Sequence, residues 1–159
     1  MNPQEIAARW TFAELWNSDL DMDQSVLLDF FKALIVCCNA DNNLTEAERR
    51  WCVGYAAAIG GNEATLAELR EYAGKDHLTV FFDRGLQWAT APRTVIYESI
   101  RACASDADYN QPERDKIARM AGLLEMDADE LAELEQLYRD EQALRTRKLR
   151  LAFPATLGF

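Results

Sequence analysis

Shifting the chain by 65 residues against itself sets Glu48-Arg49 on Glu113-Arg114 and aligns residues 29–72 with 94–137 without a gap. Ten of the 44 aligned pairs are identical, including Ile35 with Ile100, Cys38 with Cys103, Asp41 with Asp106, and Leu66-Ala67-Glu68-Leu69 with Leu131-Ala132-Glu133-Leu134. Ordinary composition would supply about three. Apolar stripes, loop length and helix-start signals coincide under the same shift, which restricts the chain to folds built from two like units sharing one core. Each unit reads as helix, acidic loop, helix, cap, helix.

The periodicity inside and around the units is that of helices. Ile6, Trp10, Phe12, Ala13 and Trp16 recur at three- and four-residue intervals and predict a first helix over about 4–16 with one buried face, its tryptophans in the core. Asp23 or Ser25 opens a second helix whose broad stripe, Val26, Leu27, Phe30, Phe31, Leu34, Ile35 and Cys38, predicts central core. After the turn formers Asn39 to Asn43, Thr45 and Glu48 have capping-box spacing and start a third helix that Gly60-Gly61 stops. Asn62 caps a fourth, which Gly74 ends. With no second strand to pair with, the apolar run from His77 to Trp88 reads as helix. Pro92 opens the next, Asn110-Gln111-Pro112-Glu113 repeats the start signal, and Asp127 caps a long last helix carrying Leu131, Leu134, Leu137, Tyr138 and Leu144. The expected fold is all-α, about eight helices in a single bundle-like domain over 1–159 made of two pseudo-symmetric copies.

Composition removes several function classes. Seventeen basic against twenty-seven acidic residues give a net charge of −10, which repels phosphate backbones, so nucleic acid is not an expected partner. The basic cluster Arg139, Arg145, Arg147, Lys148 and Arg150 lies toward a helix C-terminus, where cations complement the macrodipole. Cys37, Cys38, Cys52 and Cys103 form no CxxC pair, and all but Cys37 fall on the apolar stripes, so they read as reduced core thiols. His77 is the only histidine, which leaves little for a zinc site. No run approaches a membrane span or a secretory leader, and the expected location is the cytoplasm without direct membrane insertion.

The loops carry the remaining chemistry. Asp41 and Asp106 follow a helix C-terminus, where an anion meets the negative end of the macrodipole. Asp41 with Asn43, and Asp106 with Asp108 and Asn110, are hard oxygen donors at alternating positions, with Glu48 and Glu113 in reach. They would suit a divalent cation: calcium, magnesium or manganese. An EF-hand is excluded: counting from Asp106, the sixth position is Gln111 instead of Gly and the twelfth is Ile117 instead of Glu. Asx turns and capping boxes explain the same residues with no metal at all.

Ala40-Asp41-Asn42-Asn43-Leu44-Thr45-Glu46-Ala47-Glu48-Arg49, repeated in weaker form from Asp106 to Glu113, is similar to the Ala-Asp-Gly-x-hydrophobic-x-x-x-Glu pattern of the TerB-like family. Those small helical domains are named for tellurite resistance and also stand at the N-terminus of a membrane-anchored DnaJ-type co-chaperone. The resemblance implies an all-helical bundle with internal pseudo-symmetry, an acidic surface proposed to bind metal ions, and a link to stress responses and larger complexes, with Asp41, Glu48, Asp106 and Glu113 at the matching positions. Asn42 and Ala107 replace the usual Gly, and Ser105 the usual Ala. The expected function is a non-enzymatic binding or scaffold module with a protein partner, a second copy of the chain included. The alternatives are a metal-assisted hydrolase using both loops and a protein-interaction domain without metal. No nucleophile with a base is present.

Overall fold

The computed structural model describes residues 1–19, 22–86 and 91–154. Within them the chain forms eight α-helices: α1 (Pro3–Trp16), α2 (Gln24–Cys38), α3 (Glu46–Ala58), α4 (Glu63–Glu71), α5 (Thr79–Asp83), α6 (Pro92–Cys103), α7 (Gln111–Leu123) and α8 (Ala128–Ala152). No strand occurs among the described residues, and none of their helices is long and apolar enough to cross a membrane. The 65-residue offset reappears in the elements. α2 and α6 end at Cys38 and Cys103, single 3-10 turns occupy Asn39–Asp41 and Ala104–Asp106, α3 and α7 start at Glu46 and Gln111, and α4 and α8 at Glu63 and Ala128.

The helix starts follow the side chains expected to make them. Thr45, Asn110 and Asp127 close capping boxes with Glu48, Glu113 and Glu130, while Asn62 caps α4 and Asp23, not Ser25, caps α2. Each box satisfies two backbone N–H groups that a helix start leaves without partners.

α2 and α6 pack against each other at the centre, and α3, α4, α5 and α7 close around α2 while α8 lies along α6. Being surrounded, α2 is buried on nearly every side. Cys37, off the expected stripe, is therefore as buried as Cys38. The core runs through Leu27, Phe31, Leu34, Ile35, Leu69, Ile96, Ile100, Ile117 and Met120.

The ends of the chain depart from expectation. In α1 only Phe12 is buried; Trp16 is half-buried and donates its indole N–H to the Tyr55 hydroxyl, while Ile6 and Trp10 lie open, Trp10 at 65% exposure. Trp10 is not core, because α1 meets the body mainly along α3. No residue of α8 is fully buried, and Leu137 and Leu144, placed on its expected apolar face, are 52% and 64% exposed. Trp88 lies outside the described residues.

Candidate functional site

The two acidic loops meet. Each 3-10 turn packs against the second helix of the other copy, Asn39–Asp41 against α7 and Ala104–Asp106 against α3. Asn110, the cap of α7, joins the copies directly by donating its side-chain N–H to Asp41 Oδ2 at 3.1 Å. Asp41 thus sits beside the positive end of another helix, which offsets the unfavourable end of its own. Asp41 and Asp106 also accept, through Oδ1, the backbone N–H of Asn43 and of Asp108, both at 2.9 Å. These are Asx turns, and they draw in the backbone of two expected ligand positions.

Both turns end in left-handed backbone, Asn42 at φ 63° and Ala107 at φ 68°. The departures from Gly therefore leave the turn conformation unchanged. Ala107 bears the cost, because its Cβ crowds the following carbonyl in this region, whereas Asn tolerates it.

Beneath the turns lie Glu48 and Glu113, 0% and 2% exposed. One oxygen of each belongs to a capping box: Glu48 Oε2 accepts from the Thr45 backbone N–H at 2.7 Å and its hydroxyl at 2.8 Å, and Glu113 Oε2 from the Asn110 N–H at 2.9 Å. The two carboxyl groups lie close enough for each to act on the other's titration, and Glu48 Oε1 is buried with no hydrogen-bond partner among the described residues. Burial pushes Glu48 up to about 7 and, with the facing Glu48 carboxylate, Glu113 up to about 9. Neighbouring arginines are engaged elsewhere. Arg49 donates to the Leu69 and Tyr72 carbonyls, capping α4, and Arg114 pairs with Glu135 and stacks on Tyr109 at 3.9 Å.

Deeper on the same line, Cys103 Sγ lies 3.7 Å from Cys38 Sγ, so an identical pair from the two copies touches at the centre. All four cysteines are free and buried, as core thiols should be.

No three His, Cys, Asp or Glu side chains are gathered into a ready-made metal cage among the described residues. The six expected ligands divide instead into two layers. Asp41, Asn43, Asp106 and Asp108 form the rim, and Glu48 and Glu113 form a buried acidic floor whose pairing across the copies no linear spacing reveals. A cavity of about 430 Å³ elsewhere is lined by Gln4, Glu5, Gln24 and Gly60 and by neither loop.

The fold has a solved counterpart. A tellurite resistance protein from Nostoc punctiforme superposes with a TM-score of 0.87 over 100% of both chains, at 24% sequence identity. The chain has the tellurite-resistance fold. No protein-family model matches the sequence, and a search of curated proteins finds no significant relative. The tellurite-resistance fold accordingly rests on the course of the whole backbone, in line with the TerB-like resemblance of the loops.

One polar cluster of this fold was not visible as a site in the sequence. On α6, Glu98 (0% exposed) forms an ion pair with Arg101, whose Nη1 donates to both carboxylate oxygens, and Tyr55 donates its hydroxyl to Glu98 at 3.0 Å. The Arg101 guanidinium lies over Trp51, Tyr55 and Tyr97 at 5.4 to 6.0 Å, and Tyr97 donates to Glu141 of α8. Burial pushes Glu98 up to about 7 against the opposing pull of Arg101. The available signal was a Glu and an Arg three residues apart inside the apolar stripe Val95, Ile96, Ile100, Cys103. At the same positions of the first copy stand Ala33 and Val36.

Proposed function

We infer that this chain is a non-catalytic binding module of the tellurite-resistance type whose working surface is the junction of its two acidic loops. The observation that carries the reading is Glu48 Oε1, a buried carboxyl oxygen with no hydrogen-bond partner among the described residues, close to a second buried carboxyl, while Arg49 and Arg114 are engaged elsewhere. Two carboxyl groups so placed must share a proton or accept a cation. The donors are all hard oxygens, which fits calcium, magnesium or manganese and not a soft metal. Glu48 and Glu113 would hold such an ion from below, with Asp41 and Asp106 at the rim. When bound, it would supply positive charge that neutralises the pair and ties the loops together. The chain's own part is to fix the carboxyl groups by capping boxes and the turns by Asx bonds.

Thermal unfolding with and without each ion tests this, on the wild type and on Glu48→Gln with Glu113→Gln. An ion at about 100 times its Kd adds about 2.7 kcal/mol and raises the midpoint by several degrees. A rise in the wild type that the double variant lacks supports the reading. Equal midpoints at millimolar ion would refute the metal part and leave a module that recognises a protein partner through the same acidic surface. A role in tellurite or related stress is part of the proposal, supported by the shared fold. Unchanged tellurite tolerance on deleting the gene would remove it.

A further inference from the structure

The last helix ends in a segment that the body does not use. Every residue from Ala143 to Ala152 is exposed, so roughly 15 Å of α8 stands clear at about 1.5 Å per residue. Its charge is opposite to that of the rest. Residues 143–159 hold four basic side chains and no acidic one, while the preceding 142 residues hold 13 basic and 27 acidic. Leu137, Leu144 and Leu151 follow one another at seven-residue intervals and are 52%, 64% and 73% exposed. Seven-residue spacing keeps them on one narrow stripe of the helix, the form of a seam between two helices.

The flanks of that stripe identify the occupant. On one side lie Asp140 and Arg147, on the other Glu141 and Lys148. We propose that α8 pairs with α8 of a second copy of this chain, antiparallel, about a twofold axis at Leu144. Under that operation Leu144 meets Leu144 of the second copy and Leu137 meets Leu151. Asp140 falls beside Arg147 of the second copy, and Glu141 beside Lys148, each offset by one residue along the axis. All four flanking positions thereby face opposite charge. A parallel pairing in register would set Asp140 against Glu141 of the second copy and Arg147 against Lys148, so the charge pattern selects the antiparallel form. The overlap, about 21 Å long, places the two bodies at opposite ends of the seam. Three leucines from each copy make a short interface, consistent with a Kd on the order of 10 to 100 µM.

Sedimentation equilibrium from about 1 µM to 1 mM, a range that brackets this Kd, is expected to show a monomer–dimer equilibrium. Asp140→Arg and Arg147→Asp each place like charges across the seam and should weaken self-association by about tenfold. Because residues 140 and 147 of one chain are about 10 Å apart along the helix, they do not pair within it. Mixing the two single variants restores both contacts in a heterodimer, and wild-type affinity should return. As an independent reading, Leu144→Cys should form a disulfide-linked dimer on air oxidation, while Leu123→Cys, exposed on α7, should not; the native cysteines are all buried. A wild type that stays monomeric throughout the range, or a mixture no tighter than its components, overturns the proposal. In that monomeric case, binding to phosphatidylserine vesicles would assign the basic segment to an anionic membrane surface instead.

Discussion

Replacing Ala107 by Gly should stabilise this protein, although it removes a methyl group and adds backbone freedom. Ala107 is an exposed residue at φ 68° and ψ 14°, left-handed backbone at the end of the second 3-10 turn. An alanine there suffers a clash between Cβ and carbonyl that costs about 1–2 kcal/mol, and glycine abolishes it. Against this, glycine makes the unfolded chain more disordered, at about 0.4–1 kcal/mol. The difference is a net gain of about 0.5–1 kcal/mol, or about 1–4 °C in Tm for a chain of this size. Denaturant unfolding measures it directly, with Ala104→Gly as the control. Ala104 has φ −79°, so glycine there has no strain to relieve and should cost about 0.5–1 kcal/mol. Opposite signs for two Ala→Gly changes three residues apart would show that the turn is strained in the second copy. If Ala107→Gly loses stability as Ala104→Gly does, the left-handed assignment at 107 is wrong, and with it the equivalence of the two loops.

In metal-free buffer, Glu113→Gln should flatten the pH dependence of stability. The folded carboxyl lies at about 9 against an ordinary 4.5. Its stabilising contribution is thus complete below pH 4.5 and is lost as pH rises through 9, and the amide variant, which keeps the capping acceptor, should be the more stable at pH 9. A parallel pair of pH curves would show that Glu113 is not held protonated. Arg101→Ala should cost about 3–5 kcal/mol by leaving Glu98 buried without its ionic partner, and Arg101→Ala with Glu98→Ala should cost less than the sum of the single changes; additive losses in denaturant unfolding would deny the coupling. Asn110→Ala removes a helix cap and the bond to Asp41 together and should cost more than Asn62→Ala, which loses a cap alone at about 1 kcal/mol; equal losses would mean that the bridge between loops contributes nothing.

How far the sequence discloses such a molecule depends on whether the needed information is local. Thr45, Asn62, Asn110 and Asp127 announce helix starts because a cap acts within three residues of itself. Glu48 and Glu113 were legible as capping residues for the same reason. Their meeting was not, since it follows from how each 3-10 turn packs against a helix of the other copy, and only the shared offset hinted at related positions. Trp10, Leu137 and Leu144 show the converse failure. A periodic stripe establishes that a helix has an apolar face, not that the same chain supplies something to cover it. Cys37 became core because α2 is enclosed by neighbours on more sides than one stripe describes, and Glu98 with Arg101 lay hidden in a stripe whose apolar members dominated the pattern.

The contrast between Ala33 and Val36 in α2 and Glu98 and Arg101 in α6 makes the two central helices unequal partners. A helix pair of the α2 type on both sides would be greasy throughout, with nothing to distinguish a correct mate from an identical one on another molecule during synthesis. A pair of the α6 type would confront two buried ion pairs with only one set of aromatic rings, because Trp51 and Tyr55 come from α3, whose counterparts in α7 are Lys116 and Met120. Only the mixed combination is fully accommodated. The repeat therefore contains its own means of telling one half from the other.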